Sequence, residues 1–170
     1  AQDPATGKVT AQTLEQMPRT TVMERYGVLP DLRVALTFDD GPDDVATPAV
    51  LNALKKAGVP ATFFVVGSAA LKSPNLLRRM VDEGHLVGSH TFLHPHLERI
   101  QPWQINLELN ATQKLIAGQT GRNTRLFRPP YIRGSGPMTA QEVSLFPSLE
   151  AEGYVVAGSD IVPPDWSGLK

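Results

Sequence analysis

All four histidines of this 170-residue chain, His85, His90, His94 and His96, fall in one short span. His90 and His94 are four residues apart. On a helical turn that spacing sets two Cβ atoms about 5–6 Å apart, close enough for both imidazoles to reach one ion. A carboxylate such as Asp40 supplies a third ligand. Two histidines and one carboxylate leave positions open for water and substrate, the arrangement of hydrolytic zinc centres. The other residues with chemical capacity are the pair Asp39 and Asp40 ahead of Gly41 and Pro42, Arg128 ahead of Pro129 and Pro130, and Asp160 and Asp165 near the end. Taken singly, each has a plainer explanation. A His-x-x-x-His pair occurs often without a metal, Asp-Gly-Pro sequences make turns and helix caps, and an arginine before two prolines suits the surface of a rigid loop.

The elements that must position these residues give the case its weight. Short apolar runs at 33–37, 61–66, 85–88, 124–127 and 154–157 read as buried strands. Between them lie helical stretches. One has Thr47 as cap, Pro48 at its first position and Gly58 as its end; the next starts at Ser73-Pro74 and stops at Gly84. A third covers 102–117, with Trp103, Leu107, Leu109 and Ile116 available for burial, and a fourth covers 139–152, interrupted at Pro147. This alternation predicts a parallel sheet with crossover helices. There are too few units for a closed eight-fold barrel, so the expected fold is α/β, a distorted or incomplete (β/α) barrel. In that architecture the loops at the carboxyl ends of the strands share one face. Asp39 and Asp40, His90, Arg128, Asp160 and Asp165 all follow strands, so they converge.

Bulk composition narrows the classes. With 41% hydrophobic and 19% charged residues the chain is ordinary for a globular domain. A net charge of −1 argues against a nucleic-acid partner. No apolar stretch is long enough for membrane insertion. The absence of cysteine excludes disulfides and thiolate metal sites.

Three segments carry a family resemblance. Residues 37–42 (Thr-Phe-Asp-Asp-Gly-Pro), 89–95 (Ser-His-Thr-Phe-Leu-His-Pro) and 128–131 (Arg-Pro-Pro-Tyr) resemble the first three motifs of the polysaccharide deacetylases, the NodB homology domain of carbohydrate esterase family 4. Asp165-Trp166 resembles the fourth motif, and 61–67 resembles a family strand. The resemblance implies that Asp40, His90 and His94 hold a divalent metal, usually Zn2+, with Co2+, Ni2+ or Mn2+ as substitutes. It implies Asp39 as the general base toward water, held by a charge-assisted pair with Arg128, for which a guanidinium fork suits better than lysine. The backbone N–H of Tyr131 would stabilise the oxyanion, and the tyrosine ring is not expected to be chemically essential. Pro129, Pro130, Tyr131 and Trp166 would meet substrate. His85 is expected to pack or bond locally, and His96 to lie near the site without ligating. The implied reaction removes acetyl groups from an N-acetylglucosamine-type polymer (chitin-like, peptidoglycan or exopolysaccharide) outside the cytoplasm, in a secreted, periplasmic or envelope setting. An acetylxylan-type esterase and a non-catalytic carbohydrate-binding or scaffolding domain stay open as alternatives.

Two departures from the family pattern stand out. Its fifth motif, a Leu-x-His whose histidine is the general acid and would be oriented by Asp165, does not occur before Lys170. Residues 132–137 replace the glycine that usually follows the tyrosine. The expected organisation is therefore a linker or short helical extension over 1–31, with a short helix around 11–17, and a deacetylase domain over 32–170 that lacks its C-terminal part. The start of the chain shows neither a basic run nor an apolar signal core, which fits a removed signal or a module of a longer envelope protein.

Overall fold

The computed structural model describes residues 34–132 and 139–163. The expected N-terminal helix, Asp165, Trp166 and most of the insertion after Tyr131 lie outside the described residues. Among the described residues five strands form one sheet: β1 (Thr37–Asp39), β2 (Thr62–Val65), β3 (Leu86–Ser89), β4 (Leu126–Phe127) and β5 (Val155–Val156). Every neighbouring pair is parallel, and the spatial order β1-β2-β3-β4-β5 is the order in sequence. A doubly wound sheet would reverse direction partway, whereas a monotonic order is that of a barrel wall. The α/β expectation holds.

The strands are shorter than the apolar runs that announced them, because burial extends past pairing. Ala61 and Val66 flank β2 and are buried outside it; Val66 N–H already turns away to the carbonyl of Gly41. At β1 the discrepancy is the opposite. Val34 and Leu36 are apolar but exposed, so the strand begins at Thr37 and not at residue 33.

Among the described residues there are six α-helices: α1 (Ala46–Ala57), α2 (Gly67–Lys72), α3 (Pro74–Asp82), α4 (Pro102–Thr120), α5 (Ala140–Val143) and α6 (Phe146–Ala151). Thr47 does not cap α1. Asp43 Oδ1 accepts the N–H groups of Val45 and Ala46 at 2.8 and 2.7 Å, and the helix starts at Ala46, two residues ahead of Pro48. Gly58 closes it in the left-handed conformation, φ 65°, as an αL terminus does. Ser73 stands before Pro74 at the start of α3, but its hydroxyl donates to Asp44 (2.7 Å) instead of capping. The short helix α2 left no sequence signature, because Val66 at its cap has no side-chain bond to offer. Pro147 sits in the first turn of α6, and the break between α5 and α6 comes before it, at residues 144–145.

Helix α4 corrects the expected burial. Its core stripe is Ile105, Leu109, Thr112 and Ile116, while Trp103 and Leu107 are 65% and 62% exposed. Residues two apart lie about 200° apart around a helix of 3.6 residues per turn, so 103 and 107 cannot share the face of 105 and 109. No helix among the described residues is long and apolar enough to cross a membrane.

Alternation along β2 divides the interior. Phe63 and Val65 pack with Leu51, Leu54, Leu77, Met80 and Ile116 beneath the helices. Phe64 points to the other face, where its ring lies against Gly88 of β3, its register partner. A Cβ at Gly88 would stand 2.6 Å from that ring. Gly88→Ala is therefore expected to lower stability by about 1–3 kcal/mol through overpacking, read as a reduced urea midpoint with an unchanged m-value.

Candidate metal centre

The site is assembled where strands end. Asp39 is the last residue of β1 and Asp40 follows it; His90 follows β3, Arg128 follows β4, and Ala157 and Gly158 follow β5. Asp40 has φ 70°, a left-handed conformation that is uncommon for any residue but glycine. It turns the chain sharply at the strand's end.

Asp40 Oδ1 lies 3.3 Å from His90 Nε2 and 3.0 Å from His94 Nε2. One ligand atom from each of the three residues falls within 4.8 Å of the others. His90 is 3% exposed, and its Nδ1 is 2.6 Å from the Arg128 carbonyl oxygen. A carbonyl can only accept, so Nδ1 carries a proton, and Nε2 is the atom that the neutral form of the ring would offer to an ion. Burial and the neighbouring His90 push the His94 pKa down, outweighing the Asp40 carboxylate that would raise it. Hydrogen bonding to His90 holds the Asp40 carboxyl below its usual range, against the opposing effect of burial. Neutral imidazoles and an ionised carboxylate are the ligating forms. Electron-rich atoms this close need a proton or a cation among them, and a nitrogen–nitrogen–oxygen donor set backed by an N–H···O=C bond suits a divalent ion.

Residues 90–94 are not a helical turn. Thr91 and His94 take φ 67° and 60°, and the loop brings the two rings together with centroids 4.9 Å apart by a route that helical spacing does not describe. Thr91 hydroxyl bonds the His90 carbonyl oxygen and accepts His94 N–H at 3.0 Å. Phe92 crosses the start of α2 so closely that a Cβ on Gly67 would be 2.4 Å from its ring.

Arg128, 6% exposed, uses its whole guanidinium. Nη1 donates to Asp39 Oδ1 and to Thr37 Oγ1, each at 2.8 Å. Nε donates to Ala157 O at 3.2 Å and Nη2 to Gly158 O at 2.8 Å. Its carbon lies 4.2 Å from the Phe64 ring centroid, within cation–π range. Pro129 and Pro130 are buried, while Tyr131 is 50% exposed with φ 64°. The Tyr131 ring packs between two histidines: edge-on to His94 at 4.7 Å, and stacked on His96 at 3.7 Å and 8°. His96 also pairs with Glu98 at 3.1 Å. His85 is buried away from this group, accepting Ala61 N–H and packing on Phe63, and Asp160 is exposed. Thr37, Thr91 and Glu108 help build the site and were not singled out from the sequence. Thr37 and Thr91 stand inside the motif segments without a role of their own, and Glu108 left only a charge beside the apolar stripe of α4.

A parallel α/β wall with imidazoles and carboxylates gathered at the carboxyl ends of its strands is the class that fold and site define. A sequence model of the family "Polysaccharide deacetylase" matches residues 26–144, and the chain belongs to that family. It is 43% identical over 113 residues to the peptidoglycan-N-acetylglucosamine deacetylase PgdA of Listeria monocytogenes, covering 66% of this chain and 24% of that protein. Over 154 residues it is 43% identical to a chitooligosaccharide deacetylase of Bradyrhizobium, covering 90% of this chain and 68% of the relative. Among solved structures, a family 4 carbohydrate esterase from Streptomyces lividans in complex with acetate superposes with a TM-score of 0.70 at 38% identity, covering 81% of this chain and 67% of the other. The chain thus spans only about a quarter of the Listeria relative's length.

Arg128→Lys is expected to lower stability by about 1–3 kcal/mol, since one ammonium cannot serve Asp39, Thr37, Ala157 and Gly158 together and buried acceptors lose their donor. Urea denaturation of both proteins reads the difference.

Proposed function

We propose that this chain is the catalytic domain of a metal-dependent deacetylase that removes N-acetyl groups from an amino-sugar polymer, with Zn2+ held by Asp40, His90 and His94. The observation that carries this reading is the juxtaposition of two carboxylates in different company. Asp40 lies against two imidazole Nε2 atoms, and its neighbour Asp39 is bonded to a buried arginine. The Listeria and Bradyrhizobium relatives are named for deacetylating peptidoglycan N-acetylglucosamine and chitooligosaccharide, which favours an amide over an ester. Such polymers lie in the cell envelope or outside it, so an extracytoplasmic site of action follows from the proposed substrate.

A bound divalent ion would polarise the acetyl carbonyl and lower the pKa of water. The chain's residues do the rest. Asp39 takes the proton of the attacking water, with Arg128 fixing the carboxylate so that one oxygen is committed to the guanidinium and the other is left to accept. The backbone N–H of Tyr131 donates to the oxygen on which charge develops. Asp165 would orient the group that protonates the departing amine, and Trp166 would line the acetyl pocket.

Elemental analysis of the purified protein beside a His90→Ala, His94→Ala double variant is the direct test. About one zinc per chain, lost in the variant, is the expected result. A chain that takes up no ion even in excess zinc would point to a carbohydrate-binding role instead. Asp39→Asn is expected to keep the metal while acetate release from N-acetylglucosamine oligomers falls about 10²–10⁴-fold; retained turnover would remove Asp39 from the base position.

A further inference from the structure

The segment that links His90 to His94 holds two non-glycine residues, one of them β-branched, in the left-handed region. Such backbone persists only where the surroundings over-determine it, and here they can be named. The carbonyls of Thr91 and Phe92 accept the N–H groups of Gly67 and Ser68 at 2.9 Å each. On the opposite side, the N–H groups of Phe92 and Leu93 both end on one carboxylate oxygen, Glu108 Oε2, at 2.7 Å each. The loop's inner peptide groups are therefore gripped from α2 and from α4.

Glu108 is an unexpected residue for its position. It lies beside the stripe of α4 that carries Ile105, Leu109 and Thr112 into the core and is itself half-buried, so removing its carboxylate from water is offset by hydrogen bonds. Among the described residues it pairs with no lysine or arginine; its partners are the two loop N–H groups. Charge-assisted bonds from backbone N–H to carboxylate are short and strong. The next residue along the chain from Leu93 is His94, whose own N–H is taken by Thr91.

We propose that Glu108 is a positioning residue for the metal centre: from the rigid helix α4 its carboxylate fixes the Phe92–Leu93 backbone so that the His94 imidazole faces Asp40. It touches none of the three ligand side chains and acts through the main chain. This inference rests on the reading that Asp40, His90 and His94 hold the ion.

Because both N–H groups share a single oxygen, a glutamine with its amide oxygen in the same place keeps both bonds without the charge. Alanine loses both, and aspartate keeps the charge but is one methylene too short to reach them. Zn2+ affinity measured by competition with a chromophoric chelator, the visible absorption of the Co2+-loaded protein and urea denaturation of the metal-free protein separate these cases. Glu108→Ala is expected to weaken Zn2+ binding about 10–100-fold and to alter the cobalt bands. Glu108→Gln is expected to stay within a few-fold of the unaltered chain, and Asn110→Ala, on the exposed face of the same helix, to match it. A folded Glu108→Ala protein with unchanged Zn2+ affinity and cobalt bands overturns the proposal. If the alanine variant does not fold, Glu108→Asp decides: roughly tenfold weaker binding supports the clamp, and unchanged binding overturns it. An unaltered chain that takes up no Zn2+ overturns the metal-centre reading and this inference with it, whereas normal uptake by both the unaltered chain and the alanine variant overturns the inference alone.

Discussion

One guanidinium ties the ends of three strands into a single floor. Arg128 emerges from β4, bonds Thr37 and Asp39 of β1, and reaches the carbonyls of Ala157 and Gly158 beyond β5. Its own carbonyl oxygen meanwhile takes the Nδ1 proton of His90, next to β3. Both candidate carboxylates and the more buried imidazole are thus referred to one residue, directly or at one remove. Its charge is tolerable at 6% exposure because a carboxylate, a hydroxyl, two carbonyls and the face of Phe64 surround it. Phe64 can lie beneath it only because Gly88 leaves room for the ring. Packing on the inner face of the sheet and electrostatics at its rim are therefore one constraint.

Around that floor the backbone is held in rarely populated conformations. Asp40, Thr91, His94 and Tyr131 are the non-glycine residues with positive φ among the described ones, and all four belong to the motif segments. Each such residue costs of order 1–3 kcal/mol. The remaining left-handed positions among the described residues, such as Gly58 and Gly121, follow helices and are glycine, where that conformation is nearly free. Strain is thus concentrated where side chains must be aimed, and the regular ladders and the apolar core offset it.

This pattern explains what was legible in the sequence. Strand order and the convergence of Asp39, Asp40, His90 and Arg128 followed from alternation of apolar runs with helices, because parallel βα units place their carboxyl ends on one side whatever the details. The means of convergence did not follow. A spacing of four between His90 and His94 suggested a helical turn, yet the loop meets its geometry through left-handed Thr91 and His94, which no periodicity encodes. Caps were misread for a related reason. Thr47 and Ser73 stand at plausible capping positions, but their hydroxyls are drawn to Asp43 and Asp44, partners that local propensity cannot rank. Burial on α4 was misassigned by residue type, because Trp103 and Leu107 are large and apolar but sit on the wrong side of the helix.

The two adjacent aspartates show how little separates useful from useless geometry. In an uninterrupted strand, consecutive side chains point to opposite faces of the sheet, and Asp39 and Asp40 would be divided by the barrel wall. The strand ends at Asp39, and the left-handed turn at Asp40 redirects the second side chain over the rim toward the histidines. Both carboxylates then reach the same mouth while facing different neighbours, one a permanent cation and the other two imidazoles. Different neighbours are what allow two identical functional groups, one residue apart, to differ in chemistry. The conformation of a single residue, and not the identity of either aspartate, creates that difference.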